Sequence, residues 1–248
     1  MAAVRQMEVI SMVFIAAELG VNFRDFREVK RMIGLAKDAG VDGVKFQVFR
    51  EEHIKGHPRE AELHDLILKQ SDIQFLRDTS EECGIEFFAT PMYPEAVDML
   101  EKVGVKRYKI RYADNNNESL ISRVVETGKE MYLSCDNQYL DNMDLEVWHD
   151  DYRKWIFVYC VPEYPPKIID MPKKFRKYEG EFGGYSNHYP SIGVPLAAAA
   201  RGAEYIEVHV KQDKYPKNYK PIDDAVSLTF SDLKELVRLT REIEKVIL

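Results

Sequence analysis

The 248-residue chain is 45% hydrophobic and carries 42 acidic against 35 basic side chains, a formal net charge of −7. That much apolar material fills one barrel-sized domain or two small ones, and the acidic balance argues against a surface built to neutralise a nucleic-acid backbone. No apolar run approaches the roughly 20 residues of a membrane-spanning helix, so neither nucleic acid nor membrane is expected as a partner.

The opening stretch, MAAVRQMEVISMVFIAAELG, sets Arg5 ahead of an apolar run and an alanine pair, the outline of an export signal. Glu8 interrupts that run, which flows directly into a patterned segment, so FIAAELG reads instead as a first strand. Cys83, Cys135 and Cys160 are odd in number and lack metal-ligand spacing. They read as reduced thiols, and a cytoplasmic location is expected.

One pattern then recurs along the chain. AGVDGVKFQ, CGIEFFAT, VGVKRYKI, TGKEMYLS and RGAEYIEVHV each set a glycine (Gly40, Gly84, Gly104, Gly128, Gly202) between a charge-rich amphipathic segment and a short apolar run. Glycine tolerates the left-handed residue that closes a helix, so each copy reads as helix, stop, strand. WIFVYCVPEYP (155–165) and GGYSNH (183–188) supply two more strands without the glycine. The stretches REEHIKGHPREAELHD, after the second strand, and KQDKYPKNYKPIDDAVS, after the eighth, read as irregular polar loops long enough to cover a mouth. SDLKELVRLTREIEKVIL, with Ser231 as N-cap, reads as the last helix. Eight alternations in a chain of this length predict a single (β/α)8 TIM barrel spanning 1–248. A doubly wound open sheet is the alternative, although no glycine-rich dinucleotide loop follows the first strand.

In a parallel barrel the chemistry gathers at the carboxyl ends of the strands. In chain order these ends carry Glu18 and, in its loop, Asn22; Lys45 and Gln47; Thr90; Lys109, Arg111 and Asp114; Ser134; Glu163 and Tyr164; Ser186, Asn187 and His188; Glu207 and His209. Lys45 with Gln47, and Lys109 with Arg111, alternate with apolar residues and so share one face of their strands. A lysine buried there needs a carboxylate or a bound anion. Two readings stay open: internal pairing with Glu18, Asp114 or Glu207, or an anion pocket completed by Thr90, Ser134 and Ser186. His188 and His209 end neighbouring strands and can share a divalent ion, Mn or Mg, although two imidazoles alone are a weak signature and a turn histidine is the plain alternative. His53, His57, His64 and His149 sit among charges and read as solvated.

At this level the chain resembles the N-acetylneuraminate (sialic acid) synthases and their legionaminic and pseudaminic acid relatives. FIAAELGVNF, AGVDGVKFQVF, FFATP, KIRYAD, EYP, GYSNH and IEVHV are similar to that family's motifs and occur in the same order, from about Phe14 to Leu248. The resemblance implies a barrel enzyme that condenses phosphoenolpyruvate (PEP) with an open-chain N-acyl hexosamine to form a nine-carbon 3-deoxy-ulosonic acid. By matching motif, it implies that His188 and His209 bind Mn or Mg, that Lys45, Thr90, Ser134 and Ser186 hold PEP, and that Tyr164 contacts the sugar. It assigns Glu18, Gln47, Lys109 and Asp114 to positioning and proton transfer.

The chain departs from the family pattern on the sugar-facing side. Tyr112 stands for the serine of the Lys-Ile-x-Ser motif, with Arg111 before it; Phe23, Asn187, Pro162, Asp224 and the segment SCD replace other motif residues. The family's C-terminal antifreeze-like domain is expected to be missing, so a homodimer or a separate chain supplying that domain is the partner implied. The expectation is retained PEP binding with an acceptor other than N-acetylmannosamine. A barrel that binds without catalysis, or another metal-assisted aldolase or isomerase, is the competing reading.

Overall fold

The computed structural model describes residues 12–142, 155–176 and 181–247. Residues 1–11, with Arg5 and Glu8, and His149 lie outside the described residues. Eight parallel strands pair in chain order: β1 (Phe14–Glu18), β2 (Gly43–Val48), β3 (Glu86–Pro91), β4 (Arg107–Ile110), β5 (Glu130–Cys135), β6 (Trp155–Cys160), β7 (Phe182–Asn187) and β8 (Tyr205–Lys211). β1 also pairs with β8, so the sheet closes into the expected (β/α)8 barrel. The alternative of an open sheet is thereby excluded.

Between the strands lie α1 (Phe26–Ala39), α2 (Glu51–Ile54), α3 (Glu60–His64), α4 (Gln70–Glu82), α5 (Pro94–Lys102), α6 (Glu118–Val125), α7 (Asn137–Asn142), α8 (Gly193–Ala200) and α9 (Phe230–Ile247). All five repeat glycines have positive φ, from 66° at Gly84 to 95° at Gly202. Each occupies the left-handed position that its place in the pattern predicts.

Inside the barrel the side chains alternate with period two and form layers. At the amino-terminal end Arg107 lies between Glu86 (2.6 Å) and Glu130 (2.7 Å), its guanidinium 4.4 Å from the Phe14 ring. Above it Phe14, Phe88, Tyr132, Ile156, Val158 and Tyr205 form a separate apolar cluster, with the Tyr132 and Tyr205 rings stacked at 3.9 Å. The next inward positions toward the carboxyl end are Glu18, Lys45, Thr90, Lys109, Ser134, Ser186 and Glu207, all buried and polar. An apolar plug thus supports a charged floor.

Three local expectations are corrected. The polar stretch after β2 is not irregular: it forms α2 and α3, anchored through buried Ile54 and Leu63. The last helix begins at Phe230 rather than after Ser231. Its cap is Thr229, whose Oγ1 accepts from the Asp232 amide at 3.1 Å while Asp232 Oδ2 accepts from the Thr229 amide at 3.0 Å. Ser231 instead bonds to Asp213. A two-residue strand, β9 (Leu228–Thr229), adds to β8. Among the described residues no helix is long and apolar enough to cross a membrane, and Cys83, Cys135 and Cys160 are free.

Candidate active site

A cavity of about 580 Å³ opens at the carboxyl end of the barrel. Its floor comes from the strands: Lys45 and Gln47, Thr90, Lys109, Ser134, Cys160, Ser186, Glu207 and the two histidines. Register explains why they converge, since Glu18 lies opposite Lys45 on one side and His209 on the other, and Gln47 opposite Thr90.

The two lysines are treated differently. Lys45 Nζ makes an ion pair with Glu18, lies 3.6 Å from Glu207 and donates to Thr90 Oγ1 at 3.0 Å. The internal pairing left open by the sequence is made by this lysine, with Glu18 and Glu207. Burial works against its charge, but Glu18 and Glu207 hold the ammonium above its usual range. Lys109 Nζ donates to Ser134 Oγ and to the Ile110 carbonyl at 3.1 Å. Among the described residues no carboxylate pairs with it, and burial lowers its pKa. Lys109 is the cation left available to an anion in the cavity.

The carboxylates also diverge. Burial pushes the Glu207 carboxyl up, yet Lys109, Lys45 and the Tyr205 hydroxyl, which donates at 2.6 Å, together hold it at about 2. Ser186 Oγ donates to its other oxygen at 3.2 Å. Glu18, fully buried, is raised above the usual carboxylate range by desolvation despite Lys45. Two acids around one lysine thus have their pKa values driven apart, as acid/base pairs require. Glu18 sits beneath Lys45 and Gln47, whose Nε2 donates to it at 3.1 Å; the carboxylates on the cavity wall are Glu207 and Asp223.

Gly20 makes this burial of Glu18 feasible. Its φ is +44°, and a Cβ there would lie 2.2 Å from Glu18 Oε1 and 3.0 Å from Gln47 Nε2. Gly20→Ala is therefore expected to cost about 2 kcal/mol or more through backbone strain and collision, read as a lower urea midpoint at unchanged slope. A neutral result would mean that Glu18 has room to move aside.

His188 and His209 meet with ring centroids 5.4 Å apart. His188 Nδ1 lies 2.9 Å from the Val161 carbonyl, which can only accept, so Nδ1 carries the proton. Burial and His209 lower its pKa to about 4, so the ring is neutral and Nε2 offers a lone pair, which receives the Tyr164 hydroxyl at 2.9 Å. His209 Nδ1 lies 3.1 Å from Asp223 Oδ2. Nδ1 of His188 is thus hydrogen-bonded to an oxygen acceptor, and Nδ1 of His209 faces one in an ion-pair contact that raises its pKa against the effect of burial; with Nδ1 so occupied, Nε2 of each ring is the atom left for a metal. The donor set fits a divalent ion completed by water and ligand oxygens. Among the described residues no group of three or more His, Cys, Asp or Glu side chains gathers to hold one without them.

Of the residues expected at the site, Lys45, Gln47, Thr90, Lys109, Ser134, Tyr164, Ser186, His188 and His209 line the cavity. Glu18, beneath the floor, and Asp114 and Asn22 do not. The 3-10 turn Tyr112–Asp114 carries the Asp114 carboxylate into an ion pair with Arg111, so Arg111 and Tyr112 face the cavity in its place. Asn22 is fully buried and its side chain bonds to the β8 strand and the loop that follows it. Conversely, His53 and His57, expected to be merely solvated, line the cavity. His53 Nε2 lies 2.9 Å from the Met92 carbonyl, and His64 remains exposed beside Glu51. Glu163 points to solvent, bonding the Lys167 amide. Sequence reasoning missed Asp223, which lies in a loop well beyond the last long strand. Two adjacent acids at the head of DDAVS were its only signal.

Residues 32–247 match the NeuB family. The chain belongs to the NeuB family. It is 29% identical over 256 residues to the N-acetylneuraminate-9-phosphate synthase of Homo sapiens, covering 94% of this chain and 70% of that one. It is 29% identical over 257 residues to the N,N'-diacetyllegionaminic acid synthase of Campylobacter jejuni, covering 93% and 76%. The crystal structure of N-acetylneuraminic acid (sialic acid) synthetase from Leptospira borgpetersenii serovar Hardjo-bovis matches with a TM-score of 0.81 at 30% identity, over 95% of this chain and 85% of that chain. The resemblance read from KIRYAD, GYSNH and IEVHV is therefore a true family relationship, and the NeuB barrel is the frame in which the cavity is interpreted.

Proposed function

We propose that this NeuB-family chain condenses phosphoenolpyruvate with the open-chain form of an N-acylated sugar aldehyde, releasing phosphate and a 3-deoxy-ulosonic acid, with Mn or Mg held by His188 and His209. The observation that carries this reading is the meeting, in one cavity, of a buried lysine that no carboxylate bonds to among the described residues, Lys109, and two imidazoles whose Nδ1 atoms face oxygen acceptors. An anion site beside a metal-fit site matches a reaction in which an anionic enol attacks a carbonyl.

In the condensation C3 of PEP bonds to the aldehyde carbon, water adds at C2, and the C2–O bond to phosphate breaks. A bound metal supplies Lewis acidity at the aldehyde oxygen. Lys109, with Ser134 and Ser186, holds the anionic groups of PEP through charge-assisted hydrogen bonds. Lys45, neutralised by its carboxylates, positions Thr90 and contributes donors rather than net charge. Glu18, whose hold on a proton burial strengthens, is the group to hold or move one beneath Lys45 and Gln47, and Glu207 stays ionised beside Ser186. On the acceptor side stand Tyr164, Pro162 and Tyr112, whose hydroxyl donates to Asp136 at 2.6 Å. This bulk supports an acceptor other than N-acetylmannosamine.

Isothermal titration of PEP into metal-free protein, then with Mn, and again with His188→Ala tests the reading. Binding that needs Mn and disappears in the variant is expected, followed by phosphate release when N-acyl aldoses are screened. Absence of PEP binding in well-folded protein under every condition would overturn it. Full turnover of N-acetylmannosamine would overturn the choice of acceptor alone.

A further inference from the structure

Asp223 and Asn22 form one device with His209. Asn22 is fully buried in the loop after β1, and each polar atom of its amide is used: Nδ2 donates to the Val210 carbonyl at 3.0 Å and to Ser227 Oγ at 2.9 Å, and Oδ1 accepts from the Asp223 amide at 2.9 Å. Ser227 Oγ in turn donates to the Asp223 carbonyl at 2.7 Å. The clasp therefore grips the backbone of Asp223 from both sides, across 201 residues of sequence. From that fixed backbone the Asp223 side chain, itself largely buried, sets Oδ2 3.1 Å from His209 Nδ1.

We propose that Asp223 is a positioning residue that keeps the proton of His209 on Nδ1 and so aims its Nε2 lone pair into the cavity, and that Asn22 acts through it by holding the loop. The inference rests on the metal-dependent reading above but concerns a different atom from any in the reaction. A carboxylate can only accept, so it selects the Nδ1–H ring; an amide in its place can donate to Nδ1 and select the opposite ring form. Buried hydrogen-bonded polar groups of this kind fix geometry because the alternative leaves them unsatisfied. Outer partners of this kind typically change metal affinity by about 10- to 100-fold when lost.

The test uses two readouts on the intact chain. Nitrogen-15 NMR of the imidazoles, in metal-free protein at a pH where the ring is neutral, is expected to show His209 as the Nδ1–H form in the wild type and shifted toward Nε2–H in Asp223→Asn. Titration with Mn alone should then show about a tenfold or greater loss of affinity in Asp223→Asn, and a loss in the same direction in Asn22→Ala. Where Asn22→Ala fails to fold, Ser227→Ala, which removes one arm of the clasp, takes its place. An unchanged ring form and unchanged Mn affinity in Asp223→Asn overturn the proposal. If the wild type binds no Mn, the metal-dependent reading fails, and the NMR ring form still decides whether Asp223 positions His209.

Discussion

Lys109→Met is expected to stabilise the folded chain while weakening PEP binding by roughly 30- to 100-fold, about 2–3 kcal/mol. Lys45 is paired with Glu18 and lies near Glu207, whereas among the described residues no carboxylate bonds to Lys109. Lys109 is desolvated and donates to a hydroxyl and a carbonyl. Replacing such a charge with an apolar chain of similar length removes its desolvation cost. The gain is a small one, because Lys109 also helps hold Glu207 ionised. Urea unfolding and PEP titration on the same sample check both halves. A variant that loses stability and keeps PEP affinity would show that Lys109 is a structural cation, and that the anion site lies elsewhere.

The residues that form this cluster were legible because strand periodicity is rigid. Once KFQ, KIR, SNH and EVH are placed at strand ends, period two decides which side chains point inward, and the glycine after each helix marks where the strand begins. Glu207 was visible by the same rule, but only as a partner for lysines; its position on the wall depends on how deep each strand sits in the barrel, which pairing register alone decides. Loops carry no such period. Asn22 looked like a ligand because it follows a catalytic-looking strand, yet its amide is consumed by Val210, Ser227 and Asp223. Asp114 was misplaced because a single 3-10 turn redirects its side chain onto Arg111. The helices α2 and α3 were hidden by their charge, since one buried residue in each, Ile54 and Leu63, is too little apolar material to make a periodic signal.

Lys45→Met is expected to have the opposite consequence to Lys109→Met: a loss of about 3–5 kcal/mol near pH 7, shrinking as the pH falls toward 4.5. Lys45 is the ammonium shared by Glu18 and Glu207, and removing it leaves two buried carboxyls with their own desolvation uncompensated. The signs follow from each group. Glu18, raised by burial, favours folding most below its ordinary 4.5 and less as the pH climbs through its folded value. Glu207, held at about 2, contributes about 3 kcal/mol that is present above 4.5 and lost as the pH falls toward 2. Without Lys45, Glu18 rises further and Glu207 is held down by Lys109, Tyr205 and His209, so both carboxyls take up protons more readily. The variant's deficit is then largest where the carboxyls must ionise and smallest where they need not. Unfolding free energies of both proteins at pH 7 and pH 5 measure it directly. A deficit independent of pH would mean that Lys45 stabilises through its packed alkyl chain and its bond to Thr90, with the two carboxyls finding other partners.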